Sequence, residues 1–240
     1  MSGGAELAAW AGAGSAAAAG LLAYAARGRS AGVFGQSVYH GPRSSKTIAL
    51  TFDDGPSEST PELLNVLERF AIPATFFMCG VNVRRCPSIA NEVRARGHEI
   101  GNHTDSHPYF HFKSADFMYE ELARAQEAIQ QAAGCEPVWF RAPYGVRWFG
   151  LGAAQKKLGL TGVMWTSIAR DWRWPADRVA QRLNRAAENG AILCLHDGRV
   201  TASKPDIRVT IEAVQTTIPR MIDSGFQFQT VSQMLGSRLA

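Results

Sequence analysis

The sequence predicts an α/β barrel, with parallel strands inside and helices outside, as a single domain. Three observations carry that expectation. From Thr47 onward, short apolar runs alternate with amphipathic stretches of helical period. The alternation is strict, which implies parallel strands joined by crossover helices. It yields seven strands within 240 residues, a length that one barrel domain fills.

The first strand, residues 47–52, ends abruptly in Asp53-Asp54-Gly55-Pro56. Thr60 and Pro61 open a helix that carries Leu63, Leu64 and Leu67, with Glu62 in its first turn. Ala74 to Met78 is the second strand, and Gly97 closes a helix that runs from Pro87 to Arg96. The third strand, His98 to Asn102, leads straight into a His-rich loop. Ser114 caps a long helix with Met118, Leu122, Ala125 and Ile129 on one face, ending at Gly134. Val138 to Arg141 is strand four, followed by a loop and a helix to Leu158, and Gly162 to Ser167 is strand five. A helix from Pro175 ends before Gly190, and Ala191 to Leu195 is strand six. Ile207, Ile211, Val214, Ile218 and Met221 stripe the next helix, and Phe226 to Val231 is the seventh strand.

Composition narrows the function classes. The net charge of +4 comes from arginines scattered among acids, with no basic stripe interleaved with aromatics, so nucleic acid is not an expected partner. The four cysteines lack Cys-x-x-Cys spacing, which excludes a zinc ribbon or a thioredoxin-type centre. Cys194 falls in an apolar strand as a small hydrophobe. Cys79 and Cys86 are close enough in sequence to bridge, but spacing alone leaves their pairing open.

Residues 1–29 are expected to form a membrane anchor or a signal-like leader. Leu7 to Ala26 is uncharged, rich in Ala and Gly, and long enough for a membrane span. Ala23-Tyr24-Ala25 has the look of a signal-peptidase site. Arg27 and Arg29 follow, which by the positive-inside rule favours a cytoplasmic domain behind them, so topology stays open. Residues 30–45 are Gly/Ser-rich and are expected as a linker, with the catalytic domain spanning 46–240.

The ionisable residues fall at one kind of place, the C-terminal ends of the predicted strands. Asp53 and Asp54 follow strand one, His103 and His107 strand three, Arg141 strand four, Asp171 strand five and His196 strand six. In a β/α barrel these ends meet at one rim, where active sites are built. Two adjacent acids at the end of a buried strand are unfavourable unless one is neutralised, and a cation does that. His103 and His107 are four apart, the spacing of one helical turn, so both imidazoles can face one ion. Two imidazoles and one carboxylate leave coordination positions open, the pattern of a catalytic rather than a structural site. Asp105, between the histidines, is a turn residue, and His98 is structural.

Five stretches together resemble the motifs of the polysaccharide deacetylase family, also called carbohydrate esterase family four or the chitooligosaccharide deacetylase homology domain. They are Thr51-Phe52-Asp53-Asp54-Gly55-Pro56, His103-Thr104-Asp105-Ser106-His107, Arg141-Ala142-Pro143-Tyr144-Gly145, Asp171-Trp172 and Leu195-His196-Asp197-Gly198. The resemblance covers roughly residues 46–235. It implies a distorted (β/α)7 barrel and metal-dependent hydrolysis of an N-acyl group, usually that of N-acetylglucosamine in chitin or peptidoglycan.

Carried over by motif, Asp53 is the general base, and Asp54, His103 and His107 hold one divalent ion, Zn2+ first, with Co2+, Ni2+, Fe2+ or Mn2+ as alternatives. His196 is the general acid, Arg141 orients Asp53, Asp171 pairs with His196, and the backbone N–H of Tyr144 faces the oxyanion. Trp148 and Trp172 are candidates to stack on a sugar, Arg147 to meet an anionic substituent, and Leu195 to line an acetyl pocket. Many family members carry a further Asp three positions before the Asp-Trp pair, where this chain has Ile168. A glycan substrate also implies an exported or membrane-anchored protein of the bacterial envelope. The same chemistry would serve a deacylase or deformylase of a lipid-linked amino sugar. A catalytically silent relative would lack Asp53 or His196, and both are present.

Overall fold

The computed structural model describes residues 16–200 and 202–236. Its core is one sheet of short strands: β1 (Ser37–Val38), β2 (Thr47–Gly55), β3 (Thr75–Met78), β4 (Glu99–Asn102), β5 (Trp139–Phe140), β6 (Thr161–Val163), β7 (Ser167–Ile168), β8 (Ala191–His196) and β9 (Gln227–Phe228). They lie in the order β1-β6-β5-β4-β3-β2-β8-β7, with β9 added against β2. Every pairing is parallel. The connecting helices are α1 (residues 16–27), α2 (Thr60–Arg69), α3 (Gly80–Arg85), α4 (Pro87–Ala95), α5 (Ala115–Ala133), α6 (Leu151–Leu158), α7 (Ala176–Arg185), α8 (Arg208–Asp223) and α9 (Val231–Leu235).

The expected distorted (β/α)7 barrel is this curled sheet. Strand five of the sequence reading is broken at Met164-Trp165-Thr166 into β6 and β7, which pair near opposite ends of the strand path. The three linking residues therefore pull the two ends of the sheet together. The backbone N–H of Met164 bonds Val38 and that of Thr166 bonds Ile192, one contact to each side.

Side-chain period explains what each face holds. On β2, Ile48, Leu50 and Phe52 point outward into the main apolar layer beneath the helices. Ala49 joins a smaller interior cluster with Phe77, Trp139, Val163 and Ile192, plugged by Val231, Met234 and Leu235 of α9. Thr51 and Asp53 continue the inward row toward the rim. On β8 the same alternation sends Leu193 and Leu195 outward and Ile192 inward, with Cys194 and His196 in the inward row.

Several elements differ from the sequence expectation. The seventh strand shrinks to β9, because Thr230 and Gln233 form a capping box that opens α9 where a strand was expected to end. Helix α3 was not foreseen; it is six residues long and carries no cap or apolar stripe of its own. The segment 30–45, expected as a linker, contributes β1, whose Ser37 and Val38 pair with Gly162 and Val163. Cys79 and Cys86 are both free thiols.

The apolar stretch 7–26 lies partly outside the described residues. Among those described, no helix is long and apolar enough to cross a membrane. Ala25 and Ala26, at the end of α1, are instead buried with Phe34 against Trp148.

Arg147 fastens this N-terminal segment. Its side chain is 2% exposed. Its guanidinium donates to Gly28 O, Ala31 O and Ser37 Oγ, while its backbone N–H bonds Ala26 O. Removing the guanidinium would take a donor from the buried Ala31 carbonyl and undo the bonds to Gly28 O and Ser37 Oγ. Arg147→Ala is expected to lower the unfolding free energy by about 2–4 kcal/mol in a denaturant titration. A loss below about 0.5 kcal/mol would show that the segment is not fastened there.

Candidate active site

The site begins where β2 stops being regular. Asp53, on the inward row, reaches the rim. On an ideal strand Asp54 would face the helices, but its φ of 72° lies in the left-handed region, and the β2–β3 register shifts between Asp53 and Gly55. Both carboxylates are consequently buried at one cleft. The chain thus leaves regular strand geometry at Asp54 itself. Gly198 from the end of β8 packs so closely that a Cβ there would sit 2.2 Å from Asp54 O, and Asp54 Oδ2 accepts from the Val200 N–H at 3.0 Å.

His103 and His107 reach the same point by a loop rather than by a helical turn. Thr104 and His107 have φ of 67° and 59°, and a lattice of side-chain bonds holds this conformation. Asn102 Oδ1 accepts from the Thr104 N–H at 2.8 Å, and Thr104 Oγ1 from the His107 N–H at 3.2 Å. Glu121 on α5 accepts from the N–H groups of Asp105 and Ser106 at 3.1 and 2.8 Å. Asp105 pairs with Arg84 at 2.7 Å and Arg124 at 3.4 Å, the structural part expected of it. His98 is buried and accepts from the Ala74 N–H.

Asp54 Oδ1 lies 3.3 Å from His103 Nε2 and 3.1 Å from His107 Nε2. It is buried and has no hydrogen-bond partner among the described residues. His103 Nδ1 sits 2.7 Å from Arg141 O, which can only accept, so Nδ1 carries the proton and a neutral ring turns a lone pair on Nε2 toward Asp54. An unpartnered carboxylate oxygen facing two imidazole nitrogens fits a divalent cation.

Beside this trio, Asp53 Oδ1 accepts from Arg141 Nη1 at 2.6 Å. Arg141 is fully buried and also donates to Thr51 Oγ1 at 2.8 Å and Val163 O at 3.0 Å. Cys194 Sγ lies 3.4 Å from Asp53 Oδ2, so the thiol read as a plain hydrophobe also touches a site carboxylate.

Across the β2–β8 ladder, His196 is the direct partner of Asp53. Its Nδ1 is 2.8 Å from Asp171 Oδ1, and its backbone N–H bonds Asp171 Oδ2, which Thr210 Oγ1 also reaches at 2.7 Å. Burial alone would lower the pKa of His196, but the Asp171 carboxylate, with Asp54 and Asp53, raises it to about 9. Burial of Asp171 is likewise outweighed by His196, and its carboxyl stays below the ordinary value.

The cleft has a volume of about 760 Å³, and Asp53, Asp54, His103, His107, Tyr144, Trp172 and His196 all line it. Tyr144 has a φ of 57° and stacks on Tyr109 at 3.9 Å, while Trp172 packs edge-on to His196 at 4.8 Å. Arg141 and Asp171 stand behind the lining residues, and three residues expected to meet the substrate do not line it. Arg147 is buried in the fastening described above. Trp148 packs against Phe34, His111 and Phe112. Leu195 faces the helices because its neighbour His196 faces in.

Residues the sequence reading passed over do structural work here. Glu121 looked like one more helix-surface acid, and only its place on the stripe of Leu122 and Ala125 hinted at burial. Asp197 is fully buried, accepts from Thr60 Oγ1 at 2.7 Å, and its N–H bonds Asp53 O. Burial pushes its carboxyl up to about 7. Trp165, Ile168 and the rim arginines complete the walls.

Comparison with known proteins gives a consistent result. Residues 40–163 match the model of the polysaccharide deacetylase family. The chain is 34% identical over 198 residues to a chitooligosaccharide deacetylase of Bradyrhizobium sp., covering 79% of this chain and 90% of that protein. It is 32% identical over 203 residues to a peptidoglycan-N-acetylglucosamine deacetylase of Listeria monocytogenes, covering 82% of this chain. It spans only 40% of that longer protein. A solved peptidoglycan N-acetylglucosamine deacetylase, in complex with a benzamide ligand, superposes with a TM-score of 0.77 at 29% identity, covering 82% of this chain and 92% of that chain.

The loop lattice makes a prediction about cation binding. Asp54→Ala is expected to abolish stoichiometric binding of a divalent ion in equilibrium dialysis. Glu121→Gln, which touches no donor atom, should weaken it by about 10–100-fold. Unchanged affinity in Glu121→Gln would show that the loop does not depend on that carboxylate.

Proposed function

The chain belongs to the polysaccharide deacetylase family, and on that premise we propose that it removes the N-acetyl group from N-acetylglucosamine-containing glycans, releasing acetate. One observation carries this reading. Asp53 and His196 are register partners on adjacent strands, and both line one cleft with the cation-fitting trio Asp54, His103 and His107. Amide hydrolysis needs that combination: a base for water, an acid for the leaving amine, and stabilisation of the oxyanion between them.

A divalent ion held by Asp54, His103 and His107 acidifies water and polarises the acyl carbonyl. Zn2+ is the proposed ion, and the same donors suit Co2+, Ni2+, Fe2+ or Mn2+. Asp53, fixed by Arg141 through its Oδ1, takes the proton from the attacking water. The backbone N–H of Tyr144 is offered to the oxyanion. His196, held protonated by Asp171, gives its proton to the departing amine nitrogen. The acid and base have opposite protonation requirements, and their partners have opposite charge: a guanidinium for the carboxylate, a carboxylate for the imidazole. Trp172 is placed to stack on the sugar. Residues 46–240 form the proposed catalytic domain, to whose cleft Arg27 of α1 adds part of the wall.

Acetate release from N-acetylated chitooligosaccharides and from peptidoglycan, with and without chelator, tests the proposal. No metal-dependent release from any of them would sink it. Asp53→Asn is expected to lower kcat by about 10²–10⁴-fold while metal content stays unchanged. The pH profile follows from His196: only the protonated ring donates, so kcat/KM should hold at neutral pH and fall as pH rises through about 9. Asp171→Asn removes the largest raising influence, and the alkaline limb should then move down by about one unit or more. An alkaline limb unmoved in Asp171→Asn would assign the proton donor elsewhere.

A further inference from the structure

Positive charge surrounds the cleft, and none of the steps above uses it. Arg27, Arg170, Arg173 and Arg199 all line the walls. Among the described residues, none of the four has a carboxylate within ion-pair distance. Arg199 is nevertheless held in place: its Nη1 donates to Gly198 O at 2.7 Å and its Nη2 to Asp171 O at 3.4 Å. These carbonyls orient the guanidinium without cancelling its charge. Arg170 follows β7 with a φ of 60°, a conformation uncommon for a residue with a side chain.

Of the two carboxylates on the floor, Asp53 is paired with Arg141, and Asp54 faces the histidine pair as part of the cation-fitting trio. Ile168, which also lines the cleft, presents no acid. Beyond Trp172 a second hollow of about 360 Å³ opens, and Arg173 and Arg199 line both spaces. Both acids there already have partners, Asp206 in Arg208 at 2.6 Å and Asp171 in His196 at 2.8 Å. A ring adjoining the acylated sugar would cross Trp172 with its substituent between two guanidiniums.

We propose that the cleft selects N-acyl amino sugars that carry an anionic oxygen substituent, a carboxylate or a phosphate, next to the acylated ring. The proposal rests on the deacylase reading above and narrows its substrate class. A guanidinium pairs in two-pronged fashion with either anion. Uncompensated charge at a cleft mouth also raises the local concentration of an anionic ligand, an effect that salt weakens.

Titration calorimetry on the full chain tests the idea with one N-acetylglucosamine oligosaccharide in three forms: neutral, carboxylated at the hydroxymethyl position, and linked through phosphate to a short lipid. At low ionic strength the anionic forms should bind about tenfold more tightly than the neutral one. That advantage should largely vanish at about 1 M salt. In an Arg173→Gln/Arg199→Gln double variant, folded by circular dichroism, the ratio should approach one. Tighter binding of the carboxylated form points to a free acidic glycan, and tighter binding of the lipid phosphate to a membrane-borne sugar. Equal affinity for all three forms at low salt, or a preference that the double variant keeps, overturns the proposal. Binding is read without turnover, so a failure to release acetate would count against the deacylase reading alone.

Discussion

The whole site depends on a guanidinium buried at the centre of the barrel. Arg141 is inaccessible to solvent, and an unpaired charge there would cost several kcal/mol. Asp53 at 2.6 Å supplies the opposite charge, while Thr51 and the carbonyls of Val163 and Met164 accept from three further N–H groups. The ring of Phe77 lies beneath it at 4.2 Å. Its backbone carbonyl meanwhile fixes the tautomer of His103. One residue thereby ties the carboxylate proposed as the base to an imidazole of the cation site. It also binds the end of β6 just before the sheet breaks toward β7. Barrel closure and site assembly share this contact, so neither is expected to form without the other.

Much of this was legible in the sequence because it obeys simple periods. The outward stripe of Ile48, Leu50 and Phe52 and the helix caps at Ser114 and Gly134 appear as their residue types require. The strand-end positions of Asp53, His103, Arg141 and His196 follow from the same alternation. What escaped was set by contacts distant in sequence. Arg147 follows the third motif and reads as a rim cation, yet its acceptors are Gly28, Ala31 and Ser37, more than a hundred residues earlier. The break at Met164-Trp165-Thr166 has no turn residue to announce it; it is imposed by pairing with Val38 on one side and Ile192 on the other. Leu195 was misplaced for a local reason: strand alternation lets only one of Leu195 and His196 face the cleft.

Positive φ at residues with side chains clusters at the cleft, although Ala71 and Phe112 adopt it elsewhere. Asp54, Thr104, His107, Tyr144, Arg170 and Val200 share it there. Each lies within two residues of a cleft-lining side chain or lines the cleft itself. Such conformations cost on the order of 1 kcal/mol or more apiece, and here surrounding bonds hold them: Val200 for Asp54, Asn102 and Glu121 for the histidine loop. The rim is thus more tightly determined than a loop region of ordinary composition, which suits a site whose donor atoms must converge within an ångström.

The isoleucine at position 168 can now be weighed against what surrounds it. An acid there would have been available to pair with Arg141 or to add charge near His196. Arg141 already has a carboxylate partner in Asp53, and with Thr51 and two backbone carbonyls four of its five N–H groups have acceptors. His196 has Asp171, fixed in turn by Thr210 and by the His196 backbone itself. Replacing an acid by isoleucine therefore leaves both partnerships intact and changes only the wall. It removes a negative charge from a cleft whose remaining rim charges are positive, and it puts an apolar side chain near Trp165 and Trp172. The departure from the usual fourth motif thus changes the charge and polarity of the wall, while Arg141 keeps Asp53 and His196 keeps Asp171.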